Sequence, residues 1–152
     1  MKILLLILLL AIPAYSQVTA RYDKFKDLTY LSTEAIKLGP RVTMIVKGIE
    51  EKGAVSHYLV VYSGSRSWMF LRSRGLIFLA DNERIDLGDG SHDGKVSTGA
   101  YSTGGVRETI IYRIDRASLE KIANAASVEV KLGYLETKVE ERKPFREMLE
   151  YK

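Results

Sequence analysis

Through most of the chain, apolar residues recur at every second position in short runs, and the runs are separated by Gly, Asp and Asn. Val42, Met44 and Val46 share one parity, with Thr43, Ile45 and Lys47 on the other. Val128, Val130 and Leu132 alternate with Glu129 and Lys131, and Leu135, Thr137 and Val139 continue the alternation beyond Gly133. A period of two is the strand's own period, because successive side chains point to opposite faces. Such strands have one face to bury, and short turns between them favour antiparallel pairing against a second layer. The pattern predicts a mainly β (α+β) fold: an antiparallel, two-layer β-sandwich-like domain with one inserted helix and a short C-terminal helix.

The remaining elements follow from local signals. Tyr22 to Thr33 reads as a strand or irregular lead-in ending in Ser32-Thr33, and Gly39-Pro40 then breaks the chain before Val42. Ser56 to Tyr62 is rich in β-branched and aromatic residues, and Glu50-Glu51-Lys52-Gly53 before it reads as a hairpin turn. Trp68 to Leu71, Leu76 to Ala80 and Arg84 to Leu87 are further strands, the last two joined at Asp81-Asn82, residue types that accept positive φ. Leu76-Ile77-Phe78-Leu79 has no polar side chain, which predicts a central strand covered on both faces. Gly88 to Gly105 holds six of the twelve glycines and is expected to be a long surface loop, followed by a strand over Glu108 to Ile114. Asp115 offers an N-cap to a helix whose Leu119, Ile122, Ala123 and Ala126 form one apolar stripe. Pro144, Phe145, Met148 and Leu149 give the terminal helix.

The first residues carry a different message. Met1-Lys2, an uninterrupted apolar run from Ile3 to Ile12, and Pro13-Ala14-Tyr15-Ser16 have the form of a secretory signal peptide cleaved after Ser16. The run is too short to span a bilayer, which takes about 20 apolar residues. The expectation is residues 1–16 as signal and 17–152 as a single globular domain, exported to the periplasm or secreted, with no membrane span after cleavage. The absence of cysteine closes the lipoprotein route and excludes disulfides, thiol catalysis and thiolate metal sites. The formal net charge of +4 is spread over interleaved charges of both signs, which disfavours nucleic acid as a partner.

Tyr22-Asp23-Lys24-Phe25-Lys26-Asp27, Trp68-Met69-Phe70-Leu71, the stretch Leu79 to Gly88, His92-Asp93-Gly94 and Leu119 to Ala125 together resemble a family of small exported bacterial proteins without an established activity. The resemblance implies export and a β-rich domain, and transfers no catalytic residue.

Three constellations carry chemistry. Asp89, Ser91 and Asp93, with Gly94 at the sixth position, have the oxygen spacing of the first half of a calcium loop, but Ala100 stands where the bidentate Glu belongs. A calcium site there needs a further carboxylate such as Asp86 or Asp81; otherwise no cofactor is expected. His92 and His57 are the only histidines, and His57 lies in an apolar strand. His92 beside Asp89 and Asp93 is the one acid/base candidate, so a hydrolase stays open as the alternative function. Gly64-Ser65-Arg66-Ser67 lacks the second glycine of a nucleophile elbow. Finally, Lys52 to Ala80 contains no acidic residue, and Arg66, Trp68, Phe70 and Arg72, with His92, form a candidate binding surface that could stack on sugars and pair with anions. The expected function is a non-enzymatic binding or structural module of the cell envelope, its partner another envelope protein or an anionic glycan.

Overall fold

The structure, a computed structural model, describes residues 18–70, 73–97 and 105–151. Twelve elements follow one another: β1 Thr19–Asp23, β2 Leu28–Gly39, β3 Val42–Glu51, β4 Ala54–Ser65, β5 Gly75–Ala80, β6 Glu83–Asp89, β7 Ser91–Ser97, β8 Gly105–Ile114, α1 Arg116–Asn124, β9 Val128–Leu132, β10 Leu135–Lys138 and α2 Lys143–Glu150. They form two sheets, six-stranded in the order β1-β2-β3-β4-β8-β7 and four-stranded in the order β10-β9-β5-β6, antiparallel throughout.

The alternation read from sequence decides which parity faces inward. Val42, Met44 and Val46 of β3, Leu59 and Val61 of β4, and Ile110, Tyr112 and Ile114 of β8 are buried. Leu76 and Phe78 of β5 and Val128, Val130 and Leu132 of β9 supply the facing layer. The helix α2 lies against β2 and β3, and its Phe145 ring meets Phe78 of β5 edge-on at 6.4 Å, so this helix ties the sheets together. Met148 seats over Gly48, where a Cβ would stand 3.2 Å from the sulfur. On α1, Asp115 accepts from the Ser118 backbone N–H at 2.8 Å, satisfying a donor that the helix leaves unpaired, while Leu119, Ile122 and Ala123 are buried. The helix ends at Asn124, so Ala126 falls beyond the stripe predicted for it and is exposed.

Four expectations are corrected. The lead-in over residues 22–33 is a hairpin, with Asp27 at φ 52° and its carboxylate accepting from the Tyr22 hydroxyl at 2.8 Å. The strand β5 is central but open on one face, with Leu79 39 % exposed. Trp68 to Phe70 is not a strand: the Met69 and Phe70 N–H groups are taken by a side-chain carboxylate rather than a ladder. Leu71 and Arg72 lie outside the described residues.

The fourth correction concerns the glycine-rich loop. Residues 91–97 are strand β7, paired with β8, while 98–104 lie outside the described residues. Its glycines have other uses. The chain leaves the four-stranded sheet after β6 and enters the six-stranded one at β7, turning at Gly88, φ 65°, and at Gly90, where a Cβ would meet Ile110 at 2.6 Å and the Ile111 carbonyl at 2.9 Å. Such corners, where a strand changes sheets, join sandwich layers.

Candidate functional site

The six-stranded sheet has two chemically different faces, and β8 contributes to both. On the inner face Glu108 stands in the parity of Val106, Ile110, Tyr112 and Ile114 and is 1 % exposed. An isolated buried carboxylate is strongly disfavoured unless its oxygens are matched by donors. Here Oε2 accepts from the Met69 N–H at 2.7 Å and lies 3.4 Å from the Ser63 hydroxyl. Oε1 accepts from the Phe70 N–H at 3.0 Å and lies 3.0 Å from His92 Nε2. Burial pushes the Glu108 carboxyl up, but the Met69 and Phe70 N–H groups and the His92 imidazole outweigh it and hold it below its ordinary value.

The cluster fixes the segment after β4. The Trp68 ring rests over Gly94, where a Cβ would approach it to 2.1 Å, and its centroid is 6.0 Å from that of His92. Phe70 is 2 % exposed, whereas Trp68 is 40 % exposed and Arg66 is on the surface. Arg66, Trp68 and Phe70 therefore do not form one binding surface: Phe70 belongs to the core, and Trp68 packs beside His92.

His92 projects from the inner face of β7, whereas Ser91 and Asp93, one residue to either side, project outward beside Ile111 and Thr109 of β8. The imidazole is engaged by Glu108, not by Asp89 or Asp93. Asp89 ends β6, on the other side of the Gly90 corner from Ser91 and Asp93 of β7, so the residues expected in a calcium loop are divided between two sheets. Among the described residues no group of three His, Asp or Glu is placed to hold a metal ion. His57 is buried, and that burial, followed by the nearby Arg116 charge, lowers its pKa from 6.5.

The outer face is open and cationic. A concavity of about 680 Å³ lies over β1 to β4 and β8 and presents Tyr30, Tyr58 and Tyr62 with Arg21 and Lys47. No acidic residue is among its described lining residues. Lys47 Nζ donates to the Tyr62 hydroxyl at 2.9 Å and stands 5.6 Å from that ring's centroid, and Arg21 stands 5.8 Å from the centroid of Tyr30. A second hollow of about 500 Å³, sharing Tyr62 and Thr109 with the first, lies around Gly64 between Arg41, Lys95 and Arg107, with Asp93 on its rim.

The other exposed sheet face differs. The four-stranded sheet is also hollow, about 500 Å³, but there Arg84 pairs with Asp86 at 2.7 Å and Lys131 with Glu136. None of Arg21, Arg41, Lys47, Lys95 and Arg107 has a carboxylate within ion-pair distance among the described residues. Sequence reasoning passed over these outer-face residues because they come from six strands. The local signal was present in Tyr58-Leu59-Val60-Val61-Tyr62 and in Lys47 on the polar parity of β3, but only the register places them together. Glu108 was also passed over, although a carboxylate on the apolar parity of a strand is itself a signal.

No protein-family model, no curated protein and no solved structure matches this chain.

Proposed function

We propose that this protein is a non-enzymatic binding module that takes up an anionic glycan on the outer face of its six-stranded sheet. The observation that carries the reading is the concavity at Tyr30, Tyr58 and Tyr62, where Arg21 and Lys47 have no carboxylate within ion-pair distance among the described residues. A cation held against an aromatic ring is already oriented, so little freedom is lost when it meets an anion. Tyrosine faces and hydroxyls suit the apolar and hydroxylated surfaces of a sugar, which is how recurrent binding sites combine a mainly apolar lining with a few polar anchors. Among the described residues no helix is long and apolar enough to cross a membrane. The signal-like residues 1–16 lie outside the described residues; their pattern supports export and an envelope or extracellular glycan as the ligand.

The test is calorimetric titration of the chain from Gln17 with a uronate-containing glycan at low and physiological salt. Binding should weaken as salt rises. Lys47→Ala should weaken it roughly tenfold or more, the contribution of about one charge-assisted hydrogen bond. Absence of binding at low salt, or binding indifferent to Lys47→Ala and Tyr58→Ala, would overturn the reading.

A further inference from the structure

The outer face is a track with two cationic ends. The register places Lys47, Tyr58 and Arg113 in one cross-strand row, then Ile45, Val60 and Ile111, then Thr43, Tyr62 and Thr109, and finally Gly64, Arg107 and Lys95. Arg41 joins the last row, because its carbonyl accepts from the Gly64 N–H at 3.2 Å. From Tyr58 to Gly64 is six residues of extended chain, about 20 Å at the usual rise. Arg113 stands at the near end and Arg41, Lys95 and Arg107 at the far end, while the two rows between are apolar or hydroxylic at their centre, with the Lys47 ammonium leaning over them to the Tyr62 hydroxyl and Lys37 and Asp93 flanking the Tyr62 row. Asp93, paired opposite Thr109, is the one outward-facing carboxylate among the residues lining the far end, where three cations outnumber it; Glu108, which also lines that hollow, belongs to the inner face.

Gly64 makes the far end a receptacle. A side chain there would project outward between Arg41 and Arg107, and a Cβ would meet nothing within 4 Å. Its absence opens a floor on which a compact oxyanion can approach three cations.

We propose, resting on the reading of the Tyr30–Tyr58–Tyr62 concavity as a glycan site, that the ligand is an extended acidic glycan running along β4. It carries neutral sugar units between its acidic ones: one anionic group meets Lys47 and its neighbours, and another sits over Gly64 among Arg41, Lys95 and Arg107. The spacing disfavours a nucleic acid strand, which carries a charge on every unit, about every 3.4 Å along a stacked strand. Phosphates of such a strand would lie over Ile111 and Ser91, whose row contributes no cation.

The experiment is a calorimetric length series of hyaluronan oligosaccharides, in which uronate and neutral amino sugar alternate. Beside it run oligogalacturonates, charged on every unit, and oligothymidylates of similar extended length. Affinity should step up once the hyaluronan oligomer spans the track, and Arg107→Ala should remove that step, about tenfold to a hundredfold, without changing the affinity of the short oligomer. Gly64→Asp should do the same, and the open space around this position keeps the variant folded. If short and long oligomers bind alike and both depend on Lys47, the concavity binds glycan but the extension to Gly64 is wrong. If no oligomer binds the unaltered chain, the underlying reading fails with it. If oligogalacturonate or oligothymidylate binds as tightly as hyaluronan of equal length, the charge-spacing argument is overturned.

Discussion

Replacing Glu108 by Ala should be among the most damaging single changes in the domain. The carboxylate is 1 % exposed, and its loss leaves the Met69 and Phe70 N–H groups without their acceptor and His92 Nε2 without its partner. Each donor stranded in the interior costs roughly 1–3 kcal/mol, and removing one member of a buried charged cluster typically costs about 3–5 kcal/mol. Not all donors can remain dry, because the 66–70 segment can open and hydrate them, so about 3–4 kcal/mol is expected. In a domain of this size that lowers the melting temperature by roughly 10 °C. Trp68, the one tryptophan, sits on the segment that Glu108 holds, so its emission should shift to the red before global unfolding. The pH dependence has a defined sign. A carboxyl held below its unfolded value, near 4.5, contributes stability that is present above that pH and lost as pH falls through the folded value. Acid titration of the unaltered protein should therefore release Trp68 below about pH 4.5, a step absent from Glu108→Gln. Melts of the three proteins, followed by circular dichroism and tryptophan emission, decide the matter. A loss under about 1 kcal/mol for Glu108→Ala, with unchanged emission, would refute the anchoring argument.

Gly94→Ala places a Cβ 2.1 Å from the Trp68 ring and should cost about 1–3 kcal/mol by overpacking, seen as a lower melting temperature with a displaced tryptophan emission. Asp115→Ala removes the N-cap of α1 and should lower stability by about 1 kcal/mol in urea titration, with Asp115→Asn recovering most of it. His57 has its pKa lowered by burial, so the unfolded chain takes up the proton first and stability should fall as pH drops below 6.5. His57→Gln should flatten that slope in melts between neutral and mildly acid pH.

The elements that depend on nearest neighbours were legible in the sequence. The Val42-Met44-Val46 parity, the Asp81-Asn82 turn with both residues at positive φ, the Asp115 cap and Pro144 opening α2 all stand where local chemistry put them. What was not legible has a common cause. Glycine is the residue of loops and also the residue of close approach, and Gly88, Gly90 and Gly94 serve a sheet-changing corner and a tryptophan contact. Their density hid β7. Trp68-Met69-Phe70-Leu71 has strand-like residues, but the Met69 and Phe70 N–H groups are satisfied by Glu108, 39 and 38 residues away. The outer cationic face is likewise assembled from six strands, so Arg21 and Lys47 come to share a face with Lys95 and Arg107 only through register. Turns and caps are local facts; faces and anchors are facts of pairing.

The alternation of β8 separates its two tasks residue by residue. Glu108, Ile110 and Tyr112 face the core, and Arg107, Thr109 and Ile111 face the concavities. Adjacent residues on opposite faces touch different partners, so their substitutions should act on different observables. Arg107→Ala, an exposed change with no ion pair to lose among the described residues, should stay within about 0.5 kcal/mol in stability while weakening long-oligomer binding. Glu108→Gln should lower the melting temperature yet leave affinity within about threefold, when measured well below its melt, because the outer rows are held by ladder hydrogen bonds rather than by the carboxylate. The double variant then closes a cycle whose coupling should be under about 0.5 kcal/mol in both stability and affinity. A larger coupling in affinity would mean that the buried anchor shapes the cationic face, and the two faces of the sheet would then have to be treated as one site.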